Sequence, residues 1–152
     1  MMIPPEHLVQ IKKAARACYD AGCQPTPTLM AAFRDLGQKL GYDVASWLYD
    51  MSWSKSEDGF FVSQPLVIES EISNCDPKID PDLHKLIQAR ADVRIWIAKV
   101  NPAQSVDQHV ELCKQQIKRL AGTRPEDFYI FVIFKPNNEP GYFRCFEAGE
   151  VA

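Results

Sequence analysis

Several features that would assign the chain to a familiar class are missing from its 152 residues. No apolar run approaches the ~18 residues that a membrane span needs, and residues 1–13 lack the apolar stretch of a signal peptide. The formal net charge is −3, from 17 Lys and Arg against 20 Asp and Glu. That balance excludes a basic coat over the whole surface but leaves a local basic face open. We predict a soluble, cytoplasmic protein that makes no contact with a membrane.

Cysteine and histidine motifs are lacking as well. The five cysteines are an odd number without a short paired spacing, which argues against a disulfide framework and against a zinc site. The three histidines lie far apart in the sequence and form no HExxH-like pattern. We interpret most cysteines as small buried hydrophobic residues; they are Cys18, Cys23, Cys75, Cys113 and Cys145.

The chain does contain enough apolar sequence for one folded domain. Hydrophobic residues make up 46% of it, and a domain of this length buries roughly 70% of the surface that the unfolded chain exposes. The predicted fold is an α/β domain with a mixed sheet of about five strands flanked by helices. Three segments divide this single domain: an N-terminal helix and linker (1–27), a central core (28–100), and a helix with the C-terminal strands (101–152).

Hydrophobic periodicity predicts the elements of this domain. The predicted helices span residues 6–21, 28–40, 81–91 and 105–121. The predicted strands span residues 45–53, 66–73, 93–100, 128–134 and 142–147. Asp58-Gly59 is a tight-turn signal, so we expect the first two strands to form a hairpin. Asp80 is the expected N-cap of the third helix, with Pro81 at its first position.

Two carboxylates share one face of the strand that starts at Leu66. Side chains alternate along a strand, so Glu69 and Glu71 point the same way as Val67, and the apolar residues between them point the other way. Covered carboxylates are costly unless water, a cation or a basic partner compensates them. Either these residues line the solvent face of an exposed hairpin, as polar residues of half-exposed strands commonly do, or they belong to a site.

The preceding strand supplies a third carboxylate, Asp50. If Asp58 and Gly59 are the two turn residues, Asp50 lies opposite Val67 and diagonal to Glu69 on the same face. A bulge near residues 63–65 would move Asp50 to the other face. Carboxylates arranged in this way coordinate Mg²⁺ or Mn²⁺, and such a metal activates a water and stabilises charge on a phosphoryl oxygen.

This pattern resembles the PD-(D/E)XK nuclease superfamily, which has the restriction-endonuclease-like fold. The resemblance covers roughly residues 28–100. It rests on Asp50, a gap of 18 residues, Glu69-Ser70-Glu71, a helix after them and then an apolar strand. It implies that Asp50 and Glu69 hold the metal. The usual lysine position holds Glu71, as in some active members, and Lys85 of the following helix is a candidate for a relocated lysine.

The resemblance implies a metal-dependent nuclease that hydrolyses phosphodiester bonds in DNA or RNA. Asp50 and Glu69 would bind Mg²⁺ or Mn²⁺, Glu71 would bind a second metal or act as general base, and Lys85 would stabilise charge. The alternative for Lys85 is a solvated surface residue. The alternative for the chain is a catalytically inactive nuclease-fold module that binds a protein or nucleic-acid partner. Two other possibilities are a homodimer and a structural subunit with an exposed apolar patch.

Basic and aromatic residues suggest where nucleic acid could bind. One basic group lies at the end of the fourth helix and another lies in the first helix, although cations late in a helix also complement its dipole. These groups are Lys114, Lys118, Arg119 and Arg124, and Lys12, Lys13 and Arg16. Trp47 and Trp53 could stack on bases, but the aromatic face of a hairpin is more often part of the core.

Overall fold

The computed structural model describes residues 3–73 and 76–151. Its helices are α1 (Pro5–Ala21), α2 (Thr26–Lys39), α3 (Pro81–Gln88) and α4 (Val106–Arg119). Its strands are β1 (Asp43–Ala45), β2 (Met51–Glu57), β3 (Phe60–Glu71), β4 (Val93–Lys99), β5 (Phe128–Phe134) and β6 (Tyr142–Glu147). Within the described ranges, no helix is both long enough and apolar enough to cross a membrane.

One mixed sheet runs through the molecule in the order β1-β2-β3-β4-β5-β6. The central strands β3, β4 and β5 are parallel, and the outer pairs are antiparallel. This confirms the α/β class with a mixed sheet flanked by helices. The sheet has six strands where about five were expected, because the predicted strand 45–53 is in fact two strands separated by residues 46–50.

The sheet lies between two helical layers, and its side chains alternate between them. On one side α1 and α2 cover Ile68, Ile95, Ile97, Ile130 and Val132. On the other side α3 and α4 cover Val67, Trp96, Ala98, Phe131 and Ile133. Glu69 lies two residues after Val67 and pairs with Trp96, so it faces α3 and α4. The predicted parity of Glu69 with Val67 is therefore confirmed.

The two tryptophans of the predicted hairpin strand have opposite surroundings. Trp53 is fully buried on β2, where its Nε1 donates a hydrogen bond to the Phe33 carbonyl at 3.1 Å and its ring stacks on Tyr42. Trp47 lies in the segment between β1 and β2 and is 84% exposed. The expected continuous aromatic face is therefore wrong, because the backbone leaves the sheet after Ala45.

The cysteines are less uniformly buried than expected. The four that are described are free thiols. Cys113 is fully buried in the α3–α4 layer, whereas Cys18, Cys23 and Cys145 are half-buried beside the other layer. Cys75 lies outside the described residues. The interpretation as small buried side chains therefore holds fully for Cys113 alone.

Gly37 allows α2 to lie directly against Trp53. A Cβ at this position would come within 2.5 Å of Trp53 Nε1 and 2.9 Å of Val44 Cγ2. We expect Gly37→Ala to lower the free energy of unfolding by about 2 kcal/mol, because overpacking of about 3 kcal/mol outweighs about 1 kcal/mol of gained helix propensity. Denaturant unfolding measures this loss. Gln38→Ala, at the exposed neighbouring position, is the control, and equal midpoints for both variants would contradict the prediction.

Candidate metal centre

The candidate site forms where β3 ends and α3 begins. Asp80 caps α3 as predicted, since its Oδ1 accepts hydrogen bonds from the backbone N–H groups of Asp82 (2.9 Å) and Leu83 (3.3 Å). Pro81 occupies the first helical position. These contacts hold Asp80 and Asp82 close to the last residues of β3. In open α/β sheets, ligands bind at this carboxyl end of the parallel strands.

Asp50 reaches the site through a register change in the β2–β3 hairpin. Glu57 pairs with Phe60 as predicted, but two irregularities bring Met51 opposite Ile68. The predicted register, with Asp50 opposite Val67, is therefore wrong by two residues. Bulges account for the shift, and one lies at Pro65, which has no N–H to donate to the ladder. A shift of two residues leaves unchanged which face of the sheet each side chain is on. The Ser70 N–H donates a hydrogen bond to Asp50 Oδ2 at 2.7 Å.

Glu69 is the buried carboxylate of the site, with 1% of its surface exposed. Lys85 Nζ lies 3.0 Å from its Oε1 and forms an ion pair with it. Burial raises the pKa of Glu69 to about 8. The negative charges of Asp50 and Asp82 also raise this pKa, whereas Lys85 lowers it. A carboxylate in this position needs a proton or a further cation.

Lys85 contacts several groups of the site at once. Besides Glu69, its Nζ donates a hydrogen bond to the Leu48 carbonyl at 2.8 Å and lies 3.8 Å from Asp82 Oδ1. It also lies 5.6 Å from the centre of the Tyr49 ring. The side chain therefore crosses from α3 to the segment between β1 and β2, with 36% of its surface exposed. The sequence pattern indicated Lys85 as a candidate but did not indicate these partners.

A second group of carboxylates adjoins the first. Oxygens of Glu71, Asp80 and Asp82 lie within 4.8 Å of one another, close enough to share one metal ion. Glu71 is held by Ser73, whose backbone N–H (3.1 Å) and hydroxyl (2.6 Å) both donate to its Oε1. In the described residues this is the group of three that meets such a spacing, and the predicted set of Asp50, Glu69 and Glu71 does not. Glu69 instead pairs with Lys85, and Asp50 accepts the hydrogen bond from Ser70.

Sequence reasoning did not select Asp80 and Asp82 as metal ligands. The sequence predicts Asp80 only as a helix cap, and the structure has that cap. The available signal was the position of Asp80 and Asp82: they flank Pro81 in the first helix after the Glu69-Ser70-Glu71 strand. Only the packing of α3 against the end of β3 brings them to Glu71.

The site as a whole is strongly negative. We define the acidic cluster as Asp50, Glu69, Glu71, Asp80 and Asp82, and Lys85 is the cation in contact with it. Burial raises the pKa of Asp82, and the charge of Asp80 adds to this effect. A small divalent cation with oxygen ligands fits such a donor set, because carboxylates are the ligands that Mg²⁺ and Mn²⁺ prefer.

The buried carboxyl predicts how stability depends on pH without metal. Glu69 has an ordinary pKa of 4.5 in the unfolded chain and about 8 in the fold, so the folded state binds more protons between these values. The contribution of Glu69 to the free energy of unfolding is therefore greatest below pH 4.5. It falls by about 2–4 kcal/mol as the pH rises towards 8. Urea unfolding in EDTA across this range measures it. Glu69→Gln removes this contribution, so an unchanged slope in the variant would contradict the assignment.

Four of the seven predicted basic residues contact another side chain. Arg16 forms an ion pair with Asp20 at 3.1 Å, and Lys12 Nζ lies 5.3 Å from the Phe128 ring centre. Arg124 contacts Asp127 at 3.2 Å, and Lys114 lies over the Tyr142 ring at 5.9 Å. These contacts favour the structural interpretation of those cations.

Comparison of the chain with protein-family models, curated proteins and solved structures gave no match. The geometry of the acidic cluster and Lys85 is therefore the basis for assigning a function.

Proposed function

We propose that this protein is a metal-dependent phosphodiesterase of the PD-(D/E)XK nuclease type, acting on nucleic acid. The observation that carries the proposal is the arrangement around Glu69, a buried carboxylate with Lys85 at 3.0 Å and Asp50 held by the next residue of β3. Buried carboxylates beside a lysine at the end of a strand are suited to hold a cation and to orient a water next to it.

The order of elements supports this proposal. Helix α2 is followed by the strands β1, β2 and β3, then by α3 and β4. This matches the core that the sequence resemblance implies: a helix, a hairpin-bearing sheet, a helix and a further strand. Asp50 directly precedes β2 and Glu69 lies on the neighbouring strand β3, so the two acids lie at the same end of the hairpin.

Each residue has a role in the proposed reaction. Asp50 and Glu69 would hold Mg²⁺ or Mn²⁺, which supplies Lewis-acid stabilisation of phosphoryl charge and a more acidic bound water. Lys85 would replace the lysine expected at position 71: its ammonium group orients the attacking water and opposes the negative charge of the phosphate. Glu71, with Asp80 and Asp82, would hold a second cation or accept the proton of the water.

Thermal stability with and without Mn²⁺ tests the metal site. Binding only to the folded state adds about 2.7 kcal/mol at a metal concentration of 100 Kd, which corresponds to a rise of about 5–10 °C for a chain of this length. We expect this rise in the wild type and in Glu57→Gln, an exposed control, and its loss in Glu69→Gln. Equal rises in all three proteins, or none, would contradict the proposed site.

A second candidate function is a nuclease-fold module that binds a partner without catalysis. The observation in its favour is the tip of the β2–β3 hairpin, where Phe60, Phe61 and Val62 are all exposed. Metal binding without hydrolysis of single-stranded or duplex DNA and RNA would favour this candidate. Hydrolysis that depends on Glu69 would favour the phosphodiesterase.

A further inference from the structure

Residues 46–50 form an anchored segment along the acidic cluster. The Leu48 carbonyl accepts a hydrogen bond from Lys85, and Asp50 accepts one from the Ser70 N–H. The segment is also closed at its base, because Ala45 pairs with Ser52 where β1 and β2 meet. These contacts fix the backbone on both sides of Leu48, next to the residues proposed to bind metal.

Trp47 extends into solvent from this anchored segment. It is 84% exposed, whereas the two other tryptophans of the chain, Trp53 and Trp96, are fully buried. Leu48 beside it and Ile79 in the loop before α3 are also exposed. A large aromatic ring held in water by a fixed backbone is unfavourable for folding, and exposed aromatic residues of this kind commonly contact a ligand.

We propose that Trp47 is a stacking surface for an unpaired nucleobase of the nucleic acid whose phosphodiester lies at the acidic cluster. This inference rests on the proposed function and adds a substrate class to it: single-stranded or locally unpaired nucleic acid. Bases inside a duplex are already stacked on both faces, so only an unpaired, terminal or extruded base can lie against the indole.

The charges around Trp47 favour a base over other contacts. The acidic cluster repels phosphates wherever a metal does not neutralise it, so the contact beyond the metal has to be with an uncharged part of the ligand. A nucleobase offers an uncharged aromatic face, and stacking on tryptophan tolerates every base. A protein partner could also cover an exposed tryptophan, and the experiment below separates that outcome.

Tryptophan fluorescence tests the proposal directly, because Trp47 is the exposed one of the three tryptophans. The wild type is titrated with a ten-nucleotide oligothymidine in Ca²⁺ and in EDTA. The length of the oligonucleotide is checked afterwards to show whether it was cleaved. Binding is measured in parallel from the anisotropy of a labelled oligonucleotide. The variants are Trp47→Phe, Trp47→Ala and, as a control, Val9→Ala at an exposed position of α1.

We expect the oligonucleotide to quench the wild-type fluorescence in Ca²⁺ and not in EDTA. Trp47→Phe should bind within about threefold of the wild type without quenching, because a ring remains but the two other tryptophans are buried. Trp47→Ala should bind about tenfold more weakly, as expected for the loss of one stacked base. Val9→Ala should bind like the wild type, and a blunt duplex should bind about tenfold more weakly than the single strand.

Three results would overturn the inference. Equal binding by Trp47→Ala and the wild type would exclude a stacking role for Trp47. If Glu69-dependent stabilisation by Mn²⁺ is still seen, the proposed function stands without the stacking role. Self-association in sedimentation that is lost in Trp47→Ala would assign Trp47 to a protein interface. Failure of the wild type to bind the oligonucleotide would also reject the inference, and the absence of the Mn²⁺ effect as well would reject the proposed function with it.

Discussion

Glu69→Gln is expected to lower the rate of metal-dependent phosphodiester hydrolysis by about a thousandfold. The substitution keeps the shape of the side chain but removes the negative charge that would hold the cation beside Asp50 and Lys85. Stabilisation of phosphoryl charge by a bound metal is worth several kcal/mol, and a thousandfold loss corresponds to about 4 kcal/mol. Single-turnover hydrolysis of a labelled oligonucleotide in Mn²⁺ measures the effect.

The control for this experiment is Glu57→Gln, an equivalent change at an exposed position of the hairpin. It should retain the wild-type rate, and circular dichroism should show that both variants are folded. In EDTA at pH 8, Glu69→Gln should be at least as stable as the wild type, because it no longer buries an ionisable carboxyl. A rate within tenfold of the wild type would refute the role of Glu69 in metal binding.

Lys85→Met is expected to reduce the rate by about a hundredfold while Mn²⁺ binds as tightly as before or more tightly. Methionine keeps an unbranched apolar side chain but removes the ammonium group near Glu69, Asp82 and the Leu48 carbonyl. A positioned polar group near the reacting atoms commonly contributes about 10²–10⁴ in rate. Because Lys85 competes with a metal for the same carboxylates, its removal favours cation binding.

Separate measurement of rate and metal affinity distinguishes this role from a structural one. Mn²⁺ affinity is measured by calorimetry and the rate is measured at saturating Mn²⁺, with Lys39→Met as the exposed control. If Lys85 only supported the fold, rate, metal affinity and melting temperature would fall together. An unchanged rate at saturating metal would show that Lys85 takes no part in catalysis.

Local patterns were sufficient for much of the fold. The strands β5 and β6 have their predicted bounds, residues 128–134 and 142–147, because each is a short apolar or alternating run between turn signals. The Asp80 cap follows from side-chain chemistry next to Pro81. The shared face of Glu69 and Val67 follows from the two-residue period of a strand.

Other features were not accessible to the same reasoning. The break at residues 46–50 was missed because large apolar residues alternate continuously from Trp47 to Trp53, so the period gives no sign that the backbone leaves the sheet. The hairpin register was missed because two bulges shift it by two residues and restore the original alternation. A register shift of two residues leaves a two-residue alternation unchanged, so the sequence pattern does not reveal it.

The sequence by itself therefore determined the α/β class, the sequential order of most elements and the presence of carboxylates on one face of β3. Tertiary structure decided which carboxylates meet. It placed Asp50 beside Ser70, Lys85 between Glu69 and the Leu48 carbonyl, and Asp82 beside Glu71. The physical reason is that these contacts join residues 11 to 37 positions apart. Their geometry depends on how α3 packs against the sheet, which no local propensity specifies.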